Sequence, residues 1–364
     1  MTPATPPAKT LTATPVPDAT ADDDPFASIP AKFRAHLSEN HIIFNLVVGP
    51  DGTAKDGGDA LDPLPKAKRG KGSPGYRWVH AQCYHPQTRA WMTSDATIDT
   101  VAERNLLADD SRPRTIAHDD DILINLRGVN LNPGSEPEDM IGIRFFIEPT
   151  RVTSVERRPL KATRDMAETL LSQGAPLTPG GFIARFALAI IDRMNPTIAD
   201  LNEQVDELEE KIDDMEADAS RDRLAELRRE SILLRRYLAP QRDALNTLAL
   251  QNMEWITEDD RLRLREAADQ ATRITEELEA LRERCAIVND GLVDKRAEEM
   301  NRNMMILSVV AAIFLPLGLI SGMMGINVGG MPWVESDMGF WIVTGIVVAI
   351  GIVQLFVFRA LKWL

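Results

Sequence analysis

The chain has 364 residues, of which 44% are hydrophobic and 26% charged, and its formal net charge is -14. This length allows a sizeable soluble core in addition to a membrane part. The acidic excess argues against a nucleic-acid partner, whose phosphates would be repelled, and is compatible either with attraction of cations or with an ordinary soluble surface. The two cysteines, Cys83 and Cys285, do not indicate a disulfide framework.

The first half of the sequence predicts a tail followed by a mixed domain. Residues 1–28 are rich in Thr, Pro and Ala, contain no signal segment, and are expected to be a disordered tail. Residues 29–178 alternate between strand-like and helix-like segments, which predicts a cytoplasmic α/β domain. The predicted strands are 41–48, 76–84, 121–131, 140–147 and 152–157. The predicted helices are 86–90 and 97–107.

Residues 179–303 are predicted to form a helical coiled-coil stalk. One apolar stripe with spacings of four and three consists of Leu201, Val205, Leu208, Ile212 and Met215. A break is expected near 219–220, and Pro240 is expected to interrupt the next helix. Thr257 and Asp260 resemble a capping box, which predicts the start of another helix. Its apolar stripe consists of Ala267, Ala271, Ile274, Leu278, Leu281, Cys285, Val288 and Leu292. Because no proline follows before Pro316, we expect one continuous helix of about 100 Å from 258 into the membrane.

Two apolar spans follow the stalk. Residues 304–326 contain no charge and would reach about 35 Å as a helix, which is enough to cross a bilayer. Residues 340–360 are the second predicted span, and 361–364 form the C-terminus. The connecting loop, 327–339, carries Glu335 and Asp337 and no Lys or Arg, whereas basic residues flank the other ends of both spans. The positive-inside rule therefore places both termini in the cytoplasm and the loop in the periplasm.

His80, Cys83 and His85 have the ligand chemistry of a zinc site. In a strand, however, His80 and Cys83 face opposite sides, and no fourth ligand lies nearby in sequence. We therefore favour a structural role for these residues and keep a metal site as the alternative. The sequence has no G-x-S-x-G, P-loop or H-E-x-x-H motif, and we predict neither an enzyme nor a cofactor.

Small residues and one amide mark the end of the first span. Gly318, Gly322 and Gly325 lie on one stripe, which favours close helix packing and, in an oligomer, also widens a lumen. Asn327 stands at the membrane boundary. Its side chain either caps the helix or, repeated around a symmetry axis, offers a ring of neutral oxygen acceptors to a hydrated cation.

Residues 312–327 closely resemble the first transmembrane helix of the CorA superfamily of divalent-cation transporters, which ends in a G-x-N signature. Here that signature is Gly325, Ile326 and Asn327. Ile326 replaces the Met that is usual in magnesium-type members, and this substitution is similar to the ZntB zinc-transporter branch. Further segments that look like this branch are 125–134, 137–139, 234–243 and 328–332.

The resemblance implies a homopentamer in the bacterial inner membrane, with a pore-lining first span and an outer second span. It assigns the G-x-N residues to the selectivity filter. It also places near the pore axis Asn301, Met304, Ser308, Leu315, Gly318 and Gly322. Gly318 stands where many relatives carry Thr, so a hydroxyl ring at that level is not expected. Glu335 and Asp337 would repeat around the pore mouth and attract cations electrostatically.

The expected function is transport of zinc across the membrane, and the resembled branch is associated with coupling to the proton gradient. The nearest alternative is a magnesium, cobalt or nickel channel of the same superfamily, and Cd²⁺ is a further candidate ion. A membrane-anchored coiled-coil scaffold is the alternative from another class. The G-x-N ending and Pro316 favour transport, because a simple anchor needs neither.

Overall fold

The computed structural model describes residues 41–65, 75–83, 85–108, 112–210, 217–326, 332 and 336–361. These residues fall into two compact units. The first contains the described residues up to 207 together with 224–285, and the second contains those within 208–223 and 286–361.

Among the described residues, the first unit contains a seven-stranded mixed sheet. Its strands are β1 (Ile42–Val48), β2 (Ala54–Asp56), β3 (Tyr76–Gln82), β4 (Arg114–His118), β5 (Asp121–Gly128), β6 (Ile141–Glu148) and β7 (Arg151–Glu156). Their order is β2-β1-β3-β7-β6-β5-β4. The central pair, β3 and β7, is parallel, with Trp78 opposite Val152 and His80 opposite Ser154, while the other neighbours are antiparallel.

The described helices are α1 (Pro86–Ser94), α2 (Thr100–Leu106), α3 (Lys161–Gln173), α4 (Pro179–Asp192), α5 (Asn195–Glu210), α6 (Ala217–Ala249), α7 (Glu258–Met324) and α8 (Gly339–Ala360). Side-chain caps fix several of their starts. Asp99 accepts a hydrogen bond from the Ala102 amide at 2.6 Å and begins α2. At the start of α7, the Thr257 amide donates to Asp260 and the Asp260 amide donates to the Thr257 hydroxyl. This reciprocal pair is the predicted capping box.

The sheet buries both of its faces in helices. On one face, strand residues Ala81 and Phe146 pack in a buried cluster with Met92 of α1 and Leu106 of α2. On the other face, aromatic side chains of the sheet meet α4. The ring centroids of Trp78 and Phe182 lie 4.9 Å apart, and those of Phe145 and Phe186 are also 4.9 Å apart. Because side chains alternate along a strand, neighbouring residues of β3 belong to different cores.

Within the first unit, hydrogen bonds attach the later helices to the sheet. The Thr115 hydroxyl of β4 donates to the Ala244 carbonyl of α6 at 2.7 Å. The indole of Trp255 donates to the Asp120 carbonyl in the β4–β5 turn at 2.8 Å. The Thr178 hydroxyl, which caps α4, donates to the Asp260 carboxylate that caps α7. The starts of α4 and α7 are therefore joined through one buried acid.

The predicted elements are confirmed in the main and corrected in detail. Each of the five predicted strands and both early helices are present, although β5 ends at Gly128 and not at 131. Both predicted apolar stripes are buried at the described positions, while Ile212 and Met215 lie outside the described residues. The expected continuous helix is α7.

One helix boundary is shifted and one helix prediction is wrong. Helix α5 ends at Glu210 and α6 begins at Ala217, so the expected position of the break, 219–220, falls inside α6. Pro240 does not interrupt α6. Proline removes one main-chain donor, but buried leucines on both sides of it, Leu238 and Leu245, hold the helix against the core. Strands β2 and β4 and helix α3 were not predicted. Both strands are short and lie at the sheet edges, where their partly exposed and polar side chains give little alternation.

Candidate functional site

Two helices among the described residues are long and apolar enough to cross a membrane, namely α7 through its C-terminal part and α8. The part of α7 from residue 286 onward and the whole of α8 belong to the second unit. Many of their apolar side chains are exposed. Leu315 is 72% exposed and Phe356 is 76% exposed. Apolar surface on this scale is typical of a segment that meets lipid or other protein copies.

The two spans pack against each other along one side of α7. Val309 is buried, and Ile313, Pro316, Leu317 and Ile320 are partly buried, in a run with helical spacing. Gly351 of α8 lies at this contact, because a Cβ placed there would be in ordinary van der Waals contact with the Leu317 Cδ1 atom, at 3.8 Å. The Gln354 side chain of α8 donates a hydrogen bond from Nε2 to the Ala312 carbonyl at 3.4 Å.

The candidate pore residues lie on the opposite side of α7. All six are exposed, namely Asn301, Met304, Ser308, Leu315, Gly318 and Gly322. At 3.6 residues per turn, the five from Met304 to Gly322 fall within about 40° of one direction, and the side that packs on α8 lies about 120–220° away. We call these six residues the open face of α7. The second span leaves this face uncovered.

The polar side chains of the open face, the Asn301 amide and the Ser308 hydroxyl, are neutral. The Ser308 hydroxyl donates to the Met304 carbonyl at 2.8 Å, so its oxygen can still accept from water. Positions 318 and 322 are unobstructed, since a Cβ on either glycine would meet nothing within 4 Å. The face therefore presents backbone, one side-chain amide, one hydroxyl oxygen and apolar side chains.

The span ends at the G-x-N segment. Helix α7 ends at Met324, and the Gly325 amide donates to the Gly322 carbonyl at 3.1 Å in a final turn. Ile326 is exposed. Asn327 and Glu335 lie outside the described residues, and Asp337 lies exposed in the turn that precedes α8.

The structure does not bring His80, Cys83 and His85 together. His80 is fully buried on the α4 face of the sheet, where its Nδ1 lies 2.8 Å from the Ser154 hydroxyl. Cys83 packs in the cluster on the other face. His85 caps α1 by accepting a hydrogen bond from the Gln87 amide at 3.2 Å. Across the described part of the chain, no three His, Cys, Asp or Glu side chains are grouped so that they could hold a metal ion.

Buried ion pairs in the first unit were not found from the sequence. Arg151 is fully buried, and its guanidinium contacts Glu148 at 2.6 Å and Asp95 at 2.5 Å. Glu156 contacts Arg164 at 2.6 Å and lies 3.4 Å from the His80 Nε2 atom. Burial alone would raise the pKa of Glu156, but Arg164 and then His80 hold that pKa below its ordinary value.

The contact of Gln354 with Ala312 was also not predicted. A signal for it was available in the sequence, because Thr344 and Gln354 are the clearly polar residues of the second span. Thr344 donates to the Phe340 carbonyl of its own helix at 2.8 Å. Gln354 is thus the residue of this pair that reaches the first span.

Comparisons with known proteins agree with this architecture. Residues 73–360 match the family model described as CorA-like Mg²⁺ transporter protein. The divalent cation transporter CmaX of Pseudomonas aeruginosa is 38% identical over 289 residues, which cover 79% of this chain and 87% of that protein. The zinc transport protein ZntB of Pectobacterium carotovorum is 32% identical over 290 residues, which cover 79% of this chain and 88% of the relative.

Solved structures are similar over most of the chain. The full-length CmaX structure has a TM-score of 0.74 at 35% identity and covers 88% of this chain and 98% of its own. The CorA magnesium transporter of Methanocaldococcus jannaschii has a TM-score of 0.73 at 17% identity, with coverages of 88% and 99%. At that identity the likeness concerns the fold alone.

Proposed function

Because this chain belongs to the CorA-like Mg²⁺ transporter family, we propose that it moves divalent cations across a membrane. The observation that carries the proposal is the open face of α7. It is uncharged, it lies opposite the contact with α8, and it belongs to the helix that continues from the capped start at Thr257 into the span. An ion pathway needs a helix face of this kind that is free of intramolecular packing.

We propose a homopentamer as the functional assembly. Two spans from one chain cannot enclose an aqueous path, and the open face leaves Met304 and Leu315 exposed. Several copies arranged around an axis would bury this face from lipid and turn it towards a central lumen. The proposed setting is the bacterial inner membrane, with both termini in the cytoplasm.

The proposed pathway conducts ions that keep much of their water. Residues 304–326 and 340–358 contain no charged side chain, so no carboxylate in the spans replaces the hydration shell. Divalent cations lose that shell at high cost, and Mg²⁺ is especially reluctant to do so. Neutral oxygen atoms, such as the Ser308 hydroxyl and a proposed filter ring at Asn327, can hold a hydrated ion by hydrogen bonds. Gly325 and Ile326 complete the proposed filter.

Zinc is the proposed ion. This choice is supported by relatives named zinc transport protein at 28–32% identity, whereas the relative at 38% identity is named for divalent cations in general. A channel for magnesium, cobalt or nickel is therefore the second candidate. We further propose that zinc transport is coupled to a proton gradient, and the experiment below tests both proposals together.

The test is ion flux into liposomes that contain the full chain. Zn²⁺ and Mg²⁺ uptake are measured with internal indicators, with and without an imposed pH gradient. We expect zinc uptake to exceed magnesium uptake and to respond to the gradient. Magnesium uptake that exceeds zinc uptake would favour the second candidate. The absence of flux for every divalent ion tested, in protein shown to be assembled, would favour the scaffold.

A further inference from the structure

Pro316 leaves a main-chain acceptor without its helical donor inside the first span. Proline has no N–H, so the carbonyl four residues earlier, that of Ala312, loses the hydrogen bond that a regular helix provides. In hydrocarbon, water cannot replace that donor, and an unsatisfied backbone group is costly. A donor from a neighbouring helix is one way in which such a freed carbonyl is satisfied in a membrane span.

Gln354 of the second span lies where that donor is needed. Its Nε2 donates to the Ala312 carbonyl at 3.4 Å, at the long end of the hydrogen-bond range. The contact stands one helical turn from Gly351, where the two spans approach closely enough for Leu317 to lie 3.8 Å from a Cβ placed on that glycine. The Gln354 Oε1 atom is buried and has no hydrogen-bond partner among the described residues. Among the described residues, the Gln354 side-chain amide is therefore fixed through its Nε2 donor.

We propose that Gln354 is a positioning residue of the ion pathway, which supplies the hydrogen bond that Pro316 removes and so fixes the first span against the second. Ala312 and Pro316 lie between Ser308 and Gly318 along α7, so the bond acts on the stretch that carries the open face. Gln354 itself lies on the side of α7 away from that face. This inference rests on the proposed transport function for its consequence, but the hydrogen bond can be tested separately.

The test is a double-mutant cycle on the full-length assembly. Gln354→Met keeps the side-chain length and removes the donor, and Pro316→Ala restores a main-chain N–H that can reach the Ala312 carbonyl. Thr344→Val is the matched control, because that hydroxyl bonds to its own helix. Ion flux per intact assembly and the melting temperature of the assembly are measured for each variant.

We expect Gln354→Met to lower maximal flux about three- to fivefold, the size of one interhelical hydrogen bond in a membrane, and to lower the melting temperature. The ion concentration at half-maximal flux should not move, since no ion-contacting group changes. In the Pro316→Ala background, Gln354→Met should have no further effect on either quantity. Thr344→Val should behave as the parent.

The proposal is overturned if Gln354→Met changes neither melting temperature nor flux, or if it causes an equal loss with and without Pro316. If Pro316→Ala does not assemble, Pro316→Leu restores the same N–H and completes the cycle. If the parent carries no flux, the proposed function fails, while the cycle in melting temperature still decides whether Gln354 replaces the missing donor. Melting-temperature coupling without any effect on flux per assembly would reduce Gln354 to a structural residue and would also contradict the proposal.

Discussion

In the first unit, a few charged side chains are buried in contact with partners of opposite charge. Residues 304–326 and 340–358, by contrast, contain no charge and expose their apolar side chains. Arg151, which touches two carboxylates, illustrates the first case. A buried charge of this kind is costly unless every member of the cluster is present. Removal of one member of such a cluster is therefore expected to destabilise the first unit.

In the spans, the polar side chains are neutral and donate hydrogen bonds to main-chain carbonyls. The hydroxyls of Ser308, Ser321 and Thr344 bond to carbonyls of their own helices, and Gln354 bonds to the other span. No group there holds a fixed charge that would bind a divalent ion tightly. The contrast teaches that tight binding by carboxylates is absent from the proposed pathway, and that neutral oxygens and retained water must take its place.

The largest expected effect concerns the end of that pathway. Asn327→Ala should abolish divalent-ion flux and leave the assembly intact, because it removes a neutral acceptor without emptying a packed core. Flux into liposomes and the oligomeric state in detergent are measured together. Thr344→Val, a change in the second span, is the control and should keep parental flux. Parental zinc flux through correctly assembled Asn327→Ala protein would remove Asn327 from the filter.

The second prediction tests the polar interior of the first unit. Arg151→Met should lower the free energy of unfolding by about 3–5 kcal/mol, because it leaves Glu148 and Asp95 buried without their cation. The matched control is Arg158→Met, whose partner Asp139 lies at the surface, and there we expect a loss of about 0–1 kcal/mol. Denaturant unfolding of the full chain measures both. Equal losses in the two variants would show that burial does not distinguish these pairs.

The third prediction concerns acid. Because Arg164 and His80 hold the folded-state pKa of Glu156 below its ordinary value of 4.5, the ionised group adds stability above that value, and the gain is lost as the pH falls through the folded pKa. Glu156→Gln should therefore destabilise the protein at neutral pH, and the difference from the parent should shrink below about pH 4.5. Melting temperatures measured between pH 7 and pH 3 test this, and a difference that grows in acid would contradict it.

The smallest expected effect is at the loop between the spans. In a pentamer, Glu335 and Asp337 would form an acidic rim that raises the local cation concentration, an effect that salt screens. Glu335→Gln with Asp337→Asn should slow zinc uptake at low salt, have much less effect near physiological ionic strength, and leave ion selectivity unchanged. Equal uptake rates for variant and parent at low salt would leave both acids as ordinary loop residues.

The same contrast explains what the sequence predicted and what it did not. The spans, the capping box at Thr257 and the stripes of α5 and α7 follow from local patterns, and the structure contains them. Alternation in β3 also predicted that His80 and Cys83 face different sides. These features depend on residues close together in sequence.

Features that depend on distant residues were missed. The partners of Arg151 include Asp95, which belongs to a different segment of the chain, and Pro240 is tolerated because tertiary packing spans it. The strand order and the edge strands β2 and β4 are likewise set by pairing across the sheet. For the candidate site, the residues of the open face were available from the resemblance, whereas the bond from Gln354 to Ala312 requires the two spans to be placed side by side.

The proposed ion pathway along α7 is tested most directly by the access of water-soluble reagents to the open face in the transporting assembly. In a background in which Cys83 and Cys285 are replaced by Ser and Ala, single cysteines are placed at Ser308 and Leu315 of the open face and at Phe356 of the second span. A charged thiol reagent is then applied while zinc flux is recorded. We predict that flux through Ser308→Cys and Leu315→Cys is blocked, while flux through Phe356→Cys is unaffected, since we propose that the exposed Phe356 side chain lies on the lipid side of the second span. Block at Phe356→Cys, with no block at the two open-face positions, would contradict a pathway along α7.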